Sequence, residues 1–230
     1  MERGSSGERD TSGAPPRAAV RFALAGILAV LAAGVVLRFA GHGPLGLDLW
    51  WHGVVGTTRG SAPFAVAVFF AEIGGGIGAA ACTAIAAALL LALRRARDAA
   101  AVATASALGV ALSEAMKALV LRPRPWDQLY SSQASSFPSG HSMGAAALAV
   151  SLVLVLAASD RVPRSALRWA RIAAAVWIVG MMWSRTALHV HWLTDTLAGA
   201  LLGACVAVLA RRLWFGTAEQ PRALDVGGRA

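Results

Sequence analysis

The sequence predicts an all-α polytopic membrane protein with six transmembrane helices and short interfacial helices in the first outer loop. Two global observations support this. Mean hydropathy is +0.60, and charged residues make up 14% of the chain, against about 25% in soluble domains. The third observation is local: uncharged apolar runs recur along the chain, several of them closed by arginines. At about 20 residues per span, 230 residues accommodate six spans with short loops. The 57% hydrophobic content excludes a disordered chain. With 21 basic and 12 acidic residues the net charge is +9, and the pI is near 11.4. That charge would suit a nucleic-acid binder, but too little polar surface remains to cover a soluble globule. The expected environment is the lipid bilayer, with no nucleic-acid partner.

Residues 1–19 are polar and rich in Gly, Ser and Pro, which predicts a disordered cytoplasmic tail. The stretch is too long before the first apolar run for a typical signal peptide. A six-span domain is expected over 20–213, and a cytoplasmic C-terminal tail over 214–230. Phe22 to Leu37 is the first span, bracketed by Arg21 and Arg38. Residues 41–72 form an outer loop with Trp50, Trp51 and a Gly60–Pro63 break, where interfacial helices are expected. Ile73 to Leu93 is the second span, closed by Arg94, Arg95 and Arg97. The third runs from Ala99 to Ser113 and continues past Glu114 towards Leu119. Met143 to Ala158, Ile172 to Ser184 and Thr196 to Ala210 complete the set, the last closed by Arg211 and Arg212. Arginines that snorkel to the interface extend the shorter runs. Gly74 with Gly78, and Gly199 with Gly203, predict close helix approach. Cys82 and Cys205 lie in apolar runs and read as buried thiols.

Arginines concentrate in the N-terminal tail, the second-to-third loop, the fourth-to-fifth loop and the C-terminal tail. All four fall on one side of a six-span layout, which the positive-inside rule makes cytoplasmic. Both termini are then inside. The opposite face carries one cluster of cations, Lys117, Arg122, Arg124 and Arg185, and Lys117 is the only lysine in the chain. Such a cluster calls for an external anion.

Three segments on that face carry chemistry. Lys117 to Pro125 ends the third span, and Pro123 and Pro125 stop the helix there. Ser135 to Ser142 enters the fourth span through Pro138, Ser139 and Gly140, a start that offers free backbone N–H groups to an anion, with His141 alongside. Ser184 to Asp195 bridges the last two spans. There His191 and Asp195, four residues apart, share a helix face, and a carboxylate on one ring nitrogen frees the other for attack. Taken singly, an interfacial basic patch, a serine-rich connection and a helix-capping aspartate would explain each segment. Together they supply cations, a helix N-terminus, two histidines and an aspartate on one face. These are the parts for phosphoryl transfer through a phosphohistidine. His189 and His191 invite a metal-pair reading, but no further ligand cluster accompanies them in sequence, so neither a metal nor any cofactor is expected.

Lys117-x6-Arg124-Pro125, Pro138-Ser139-Gly140-His141 and Ser184-Arg185-x5-His191-x3-Asp195 resemble the three-part signature of the type 2 phosphatidic acid phosphatase superfamily. The resemblance spans roughly residues 20–213. It implies a six-span lipid phosphatase in which His191 is the nucleophile, Asp195 its orienting partner and His141 the acid and base. Lys117, Arg124 and Arg185 would hold the phosphoryl oxygens, with Ser139 and Gly140. Glu114, three residues before Lys117, is expected to form a helical ion pair with a structural role. His42, His52 and His189 read as interfacial residues.

The expectation is therefore a hydrolase of a membrane lipid phosphate in a bacterial cell membrane, with an extracytoplasmic active site. Undecaprenyl diphosphate is the first candidate substrate, and phosphatidic acid or a related glycerolipid phosphate the alternative. Soluble vanadium haloperoxidases share a similar signature, but the apolar runs argue against a secreted peroxidase. A non-catalytic binder or transporter of anionic lipids would more readily have lost His141, His191 or Asp195.

Overall fold

A computed structural model describes residues 13–216, which fold into helices with no strand among the described residues. In chain order the helices are α1 (Arg17–Ala40), α2 (Gly46–Val55), α3 (Ala62–Gly74), α4 (Gly76–Ala92), α5 (Ala96–Val120), α6 (Gly140–Ala157), α7 (Arg164–Ala187) and α8 (Leu193–Phe215). Five of them, α1, α5, α6, α7 and α8, are individually long and apolar enough to cross a membrane. A bent pair of helices makes up a sixth candidate span when its two halves are taken together. Helices α3 and α4 meet at a 60° angle, where Gly74, Gly75 and Gly76 interrupt the helix. The expected tails fall mostly outside the described residues, although α1 begins at Arg17 and α8 ends at Phe215.

Local chemistry sets the boundaries. Ser61 caps α3 by accepting from the Phe64 amide at 3.2 Å, with Pro63 in the first turn. Helix α5 ends where Leu121 takes a left-handed φ of 54°, two residues before Pro123. Asp195 caps α8 by accepting from the Trp192 amide at 2.9 Å. The first outer loop holds α2 as an interfacial helix. Its other helix, α3, instead forms the first half of the bent pair, because the apolar run starts at Ala62 and not at Ile73.

The core lies between α6 and α8, flanked by α1 and α5. Val30, Leu37, Met116, Val120, Met143, Leu202 and Val206 pack there, all buried. Glycines allow the close approach. A Cβ on Gly199 would overlap the Ser139 carbonyl, and one on Gly203 would overlap the Met143 carbonyl. Gly74 and Gly78 do not form a comparable helix–helix face. A side chain on Gly74 would meet Met181 of α7, and one on Gly78 would strike the carbonyls of Glu72 and Ile73 at the bend. Large apolar side chains such as Phe22, Ile77 and Val176 cover the outside, as a bilayer requires. Cys205 is buried and Cys82 half-buried, and both are free.

The polar groups divide between the two ends. At one end Arg95 bonds Asp98 and the Val155 carbonyl, while Arg211 bonds Asp98 and the Gly13 carbonyl. At the other end the segments following α1, α5 and α7 meet, bringing together residues far apart in the chain.

Candidate active site

The site begins with a buried arginine that the sequence assigned to an anion. Arg122 donates to Asp195, to Asp48 at 2.7 Å, to the Thr194 hydroxyl at 2.8 Å and to the Gly43 carbonyl at 3.2 Å. Its side chain and both carboxylates are fully shielded. Asp48 also accepts from the Thr194 amide and hydroxyl, each at 2.9 Å. Arg122 therefore cannot meet an external phosphate. It fastens α2 and the segment after α5 to the start of α8, so three of the four clustered cations remain for an anion.

His191 lies on the short turn between α7 and α8. Its Nδ1 is 2.8 Å from the Ser136 carbonyl, and its Nε2 is 3.1 Å from Arg124 Nη1. A carbonyl only accepts and a guanidinium only donates. The ring is therefore the Nδ1–H tautomer with a lone pair on Nε2, aimed at Arg124. The expected hydrogen bond from this ring to Asp195 is not made. Its carboxylate stands 3.7 Å from Nδ1, an ion-pair distance, because its oxygens are taken by Arg122 and the Trp192 amide. The Ser136 carbonyl holds the tautomer, and Asp195 adds negative potential that grows in value once the ring becomes cationic. Burial holds the His191 pKa well below the ordinary value of 6.5, with Arg124 and Arg185 acting in the same direction. That favours the neutral ring, the form in which a histidine can act as a nucleophile.

Arg124 is tied into its own loop. It donates to the carbonyls of Gln133, Ala134, Ser135 and Val190. Arg185 is different: it is buried, yet its Nε and Nη1 have no hydrogen-bond partner among the described residues. A buried guanidinium with two idle donors is costly unless an anion completes it. Tyr130 flanks it, with the guanidinium carbon 6.0 Å from the ring centre, and the Tyr130 hydroxyl donates to Glu72.

His141 is in the first turn of α6, with Nε2 3.2 Å from the Ala71 carbonyl at the end of α3. The broken span thus positions this histidine. Ser139 is fully buried and caps α6, its hydroxyl oxygen accepting from the Ser142 amide at 3.4 Å. That hydroxyl is turned into the helix start, and the first amides of α6, beginning at Gly140, are the groups left for an anion. Lys117 pairs with Glu114 at 2.7 Å, as expected. Its ammonium lies over Gly140, where an added Cβ would come within 3.3 Å.

Gly140, His141 and Lys117 also line a cavity of about 770 Å³ that runs between α4, α5, α6 and α7. Its other walls are mostly apolar and include Ile73, Ala80, Val110, Leu148 and Trp177. Sequence reading missed Arg122's structural role and its partner Asp48, a lone acid in the first outer loop. It also missed the Ser136 carbonyl, for which no side-chain signal exists. Trp192 is buried and donates to the Pro123 carbonyl at 2.9 Å.

The model of the PAP2 superfamily matches residues 98–218, just over half of the chain. No curated protein matches. Among solved structures, the fold is similar to the crystal structure of the first transmembrane PAP2 type phosphatidylglycerolphosphate phosphatase from Bacillus subtilis. That likeness has a TM-score of 0.71 at 23% identity and covers 81% of this chain and 94% of that one. The matched segment contains all three of the motif segments described above, and the chain belongs to the PAP2 superfamily.

Proposed function

We propose that the chain hydrolyses a phosphomonoester or diphosphate on a membrane lipid, without a metal, through a phosphohistidine on His191. The observation that carries this reading is the bare, neutral Nε2 of His191, set against Arg124 and near the idle donors of Arg185. Attack by Nε2 on phosphorus forms the N–P bond and breaks the P–O bond to the leaving group, a lipid alkoxide from a monoester or a lipid phosphate from a diphosphate. The departing oxygen takes its proton from His141. The same histidine then removes a proton from water, which attacks the phosphohistidine and releases inorganic phosphate. Lys117, Arg124, Arg185 and the Gly140 amide neutralise the phosphoryl oxygens, and Ser139 shapes the helix start that presents that amide.

The apolar cavity beside His141 and Lys117 supports a substrate with a hydrocarbon tail. Undecaprenyl diphosphate is the first candidate. Glycerolipid phosphates such as phosphatidic acid form the second group, favoured by the lipid named for the Bacillus subtilis structure. The positive-inside distribution of arginines supports a reading with both termini in the cytoplasm and the site on the outer face of a bacterial cell membrane.

The test is phosphate release by detergent-purified protein in EDTA. Undecaprenyl diphosphate, phosphatidic acid and a water-soluble phosphate ester are offered side by side. Release from a lipid by the wild type, lost in His191→Ala, is the expected result. Equal release by the two proteins would overturn the reading.

A further inference from the structure

We propose that His52, Asp127 and His189 form a binding site for one transition-metal ion of the zinc class, at the rim of the active site. The fold brings these residues together from α2, from the segment between α5 and α6, and from the turn between α7 and α8. His52 Nε2 is 3.1 Å from Asp127 Oδ1, and His189 Nδ1 is 2.9 Å from Asp127 Oδ2. All three ligand atoms lie within 4.8 Å of one another.

The donor chemistry selects the metal. Two imidazoles and one carboxylate suit zinc and its borderline neighbours and are poor for magnesium or calcium. Three protein ligands leave a fourth tetrahedral position for water. Metal bonds of about 2.0–2.2 Å put neighbouring ligand atoms roughly 3.3 Å apart in a tetrahedron. The two nitrogen–carboxylate separations need to widen by only a few tenths of an ångström, and the two ring nitrogens lie within 4.8 Å of each other. Both rings would shift their protons to the opposite nitrogen and turn lone pairs towards the ion, so no proton need be released.

The surroundings favour an ion here. Asp127 is 43% exposed while His52 and His189 are 13% and 12% exposed, so the carboxylate is the entry and the rings are the floor. Trp126 and Trp192 flank His52, each with a ring centre 5.4 Å away. His189 Nε2 is buried without a partner among the described residues, so this ring is oriented through Nδ1 alone. A bound ion would lock α2 and the segment after α5 onto the turn that carries His191.

The experiment uses the full chain in detergent, purified with a tag free of histidine and stripped with EDTA. Zinc is titrated calorimetrically, and metal retained after desalting is counted. The expected result is one zinc per chain with a raised thermal midpoint. Asp127→Asn should weaken binding at least tenfold, and His52→Gln likewise. His191→Ala and His42→Ala should bind as the wild type does. Absence of binding, or binding that survives both Asp127→Asn and His52→Gln, would overturn the site. Loss in His191→Ala alone would place the ion on the catalytic histidines and equally overturn it. Metal-free melting curves show whether each variant is folded, so a binding loss in a folded variant is attributable to the ligand set.

Discussion

Replacing Arg122 tests how the outer segments are held together. Arg122→Met keeps much of the side-chain volume but removes four donated hydrogen bonds and the charge between two fully buried carboxylates, Asp48 and Asp195. Breaking a buried pair by deleting one partner costs about 3–5 kcal/mol, because the remaining charge is left uncompensated. For a chain of this size each kcal/mol moves the thermal midpoint by roughly 2–4 °C. The expected drop is therefore about 6–20 °C in detergent, read by tryptophan fluorescence during heating. Arg122→Lys should recover only part of it, since one ammonium cannot span Asp48, Asp195, Thr194 and the Gly43 carbonyl together. Turnover should fall with Arg122→Met even at temperatures where the variant is folded, because Asp195 caps the helix that follows His191. A variant with wild-type melting and turnover would refute the clamp.

Arg185→Ala removes the guanidinium whose Nε and Nη1 are idle, and should lower turnover by about 10²–10³ in a phosphate-release assay. Its melting point should hold or rise, because no internal hydrogen bond from those two atoms is lost. Gly199→Ala drives a methyl into the Ser139 carbonyl, and should cost about 1–3 kcal/mol in thermal unfolding while lowering turnover, since α8 must back away from the start of α6. Lipid phosphate hydrolysis should persist in EDTA, including after the proposed zinc site is emptied; loss in EDTA restored by Mg²⁺ would defeat the metal-free mechanism. Ser132→Cys should react with an impermeant thiol reagent in intact cells and Ser159→Cys should not. The reverse pattern would invert the orientation.

The membrane architecture was legible because charge is excluded from spans and the bilayer fixes their length. The five long apolar helices fall where uncharged runs predict them, usually extended by several residues into arginine-bearing turns. The bent span was harder to read, since Ala62 to Ala92 is interrupted by glycine and contains only Glu72 as a charge. Hydropathy placed its second half and assigned the first half to a loop. At the site, motif spacing singled out His141, His191, Lys117, Arg124 and Arg185. It could not separate Arg122 from Arg124, although one is sealed between carboxylates and the other faces His191. That distinction rests on Asp48, more than 70 residues away in sequence. The hydrogen bond that orients His191 goes to a main-chain carbonyl, which carries no residue-type signal. For the same reason the spacing of His189 and His191 suggested a metal pair, whereas tertiary contacts pair His189 with Asp127 and His52.

The central claim is that Nε2 of His191 forms the covalent bond to phosphorus. It is tested most directly by acid-free quenching of enzyme mixed with lipid carrying radiolabelled phosphate, followed by detection of label on the protein. The wild type should yield an acid-labile, base-stable phosphoenzyme, and His141→Ala should slow its breakdown. His191→Ala should give none. Label that persists in His191→Ala, or lipid turnover by that variant at the wild-type rate, would contradict the account.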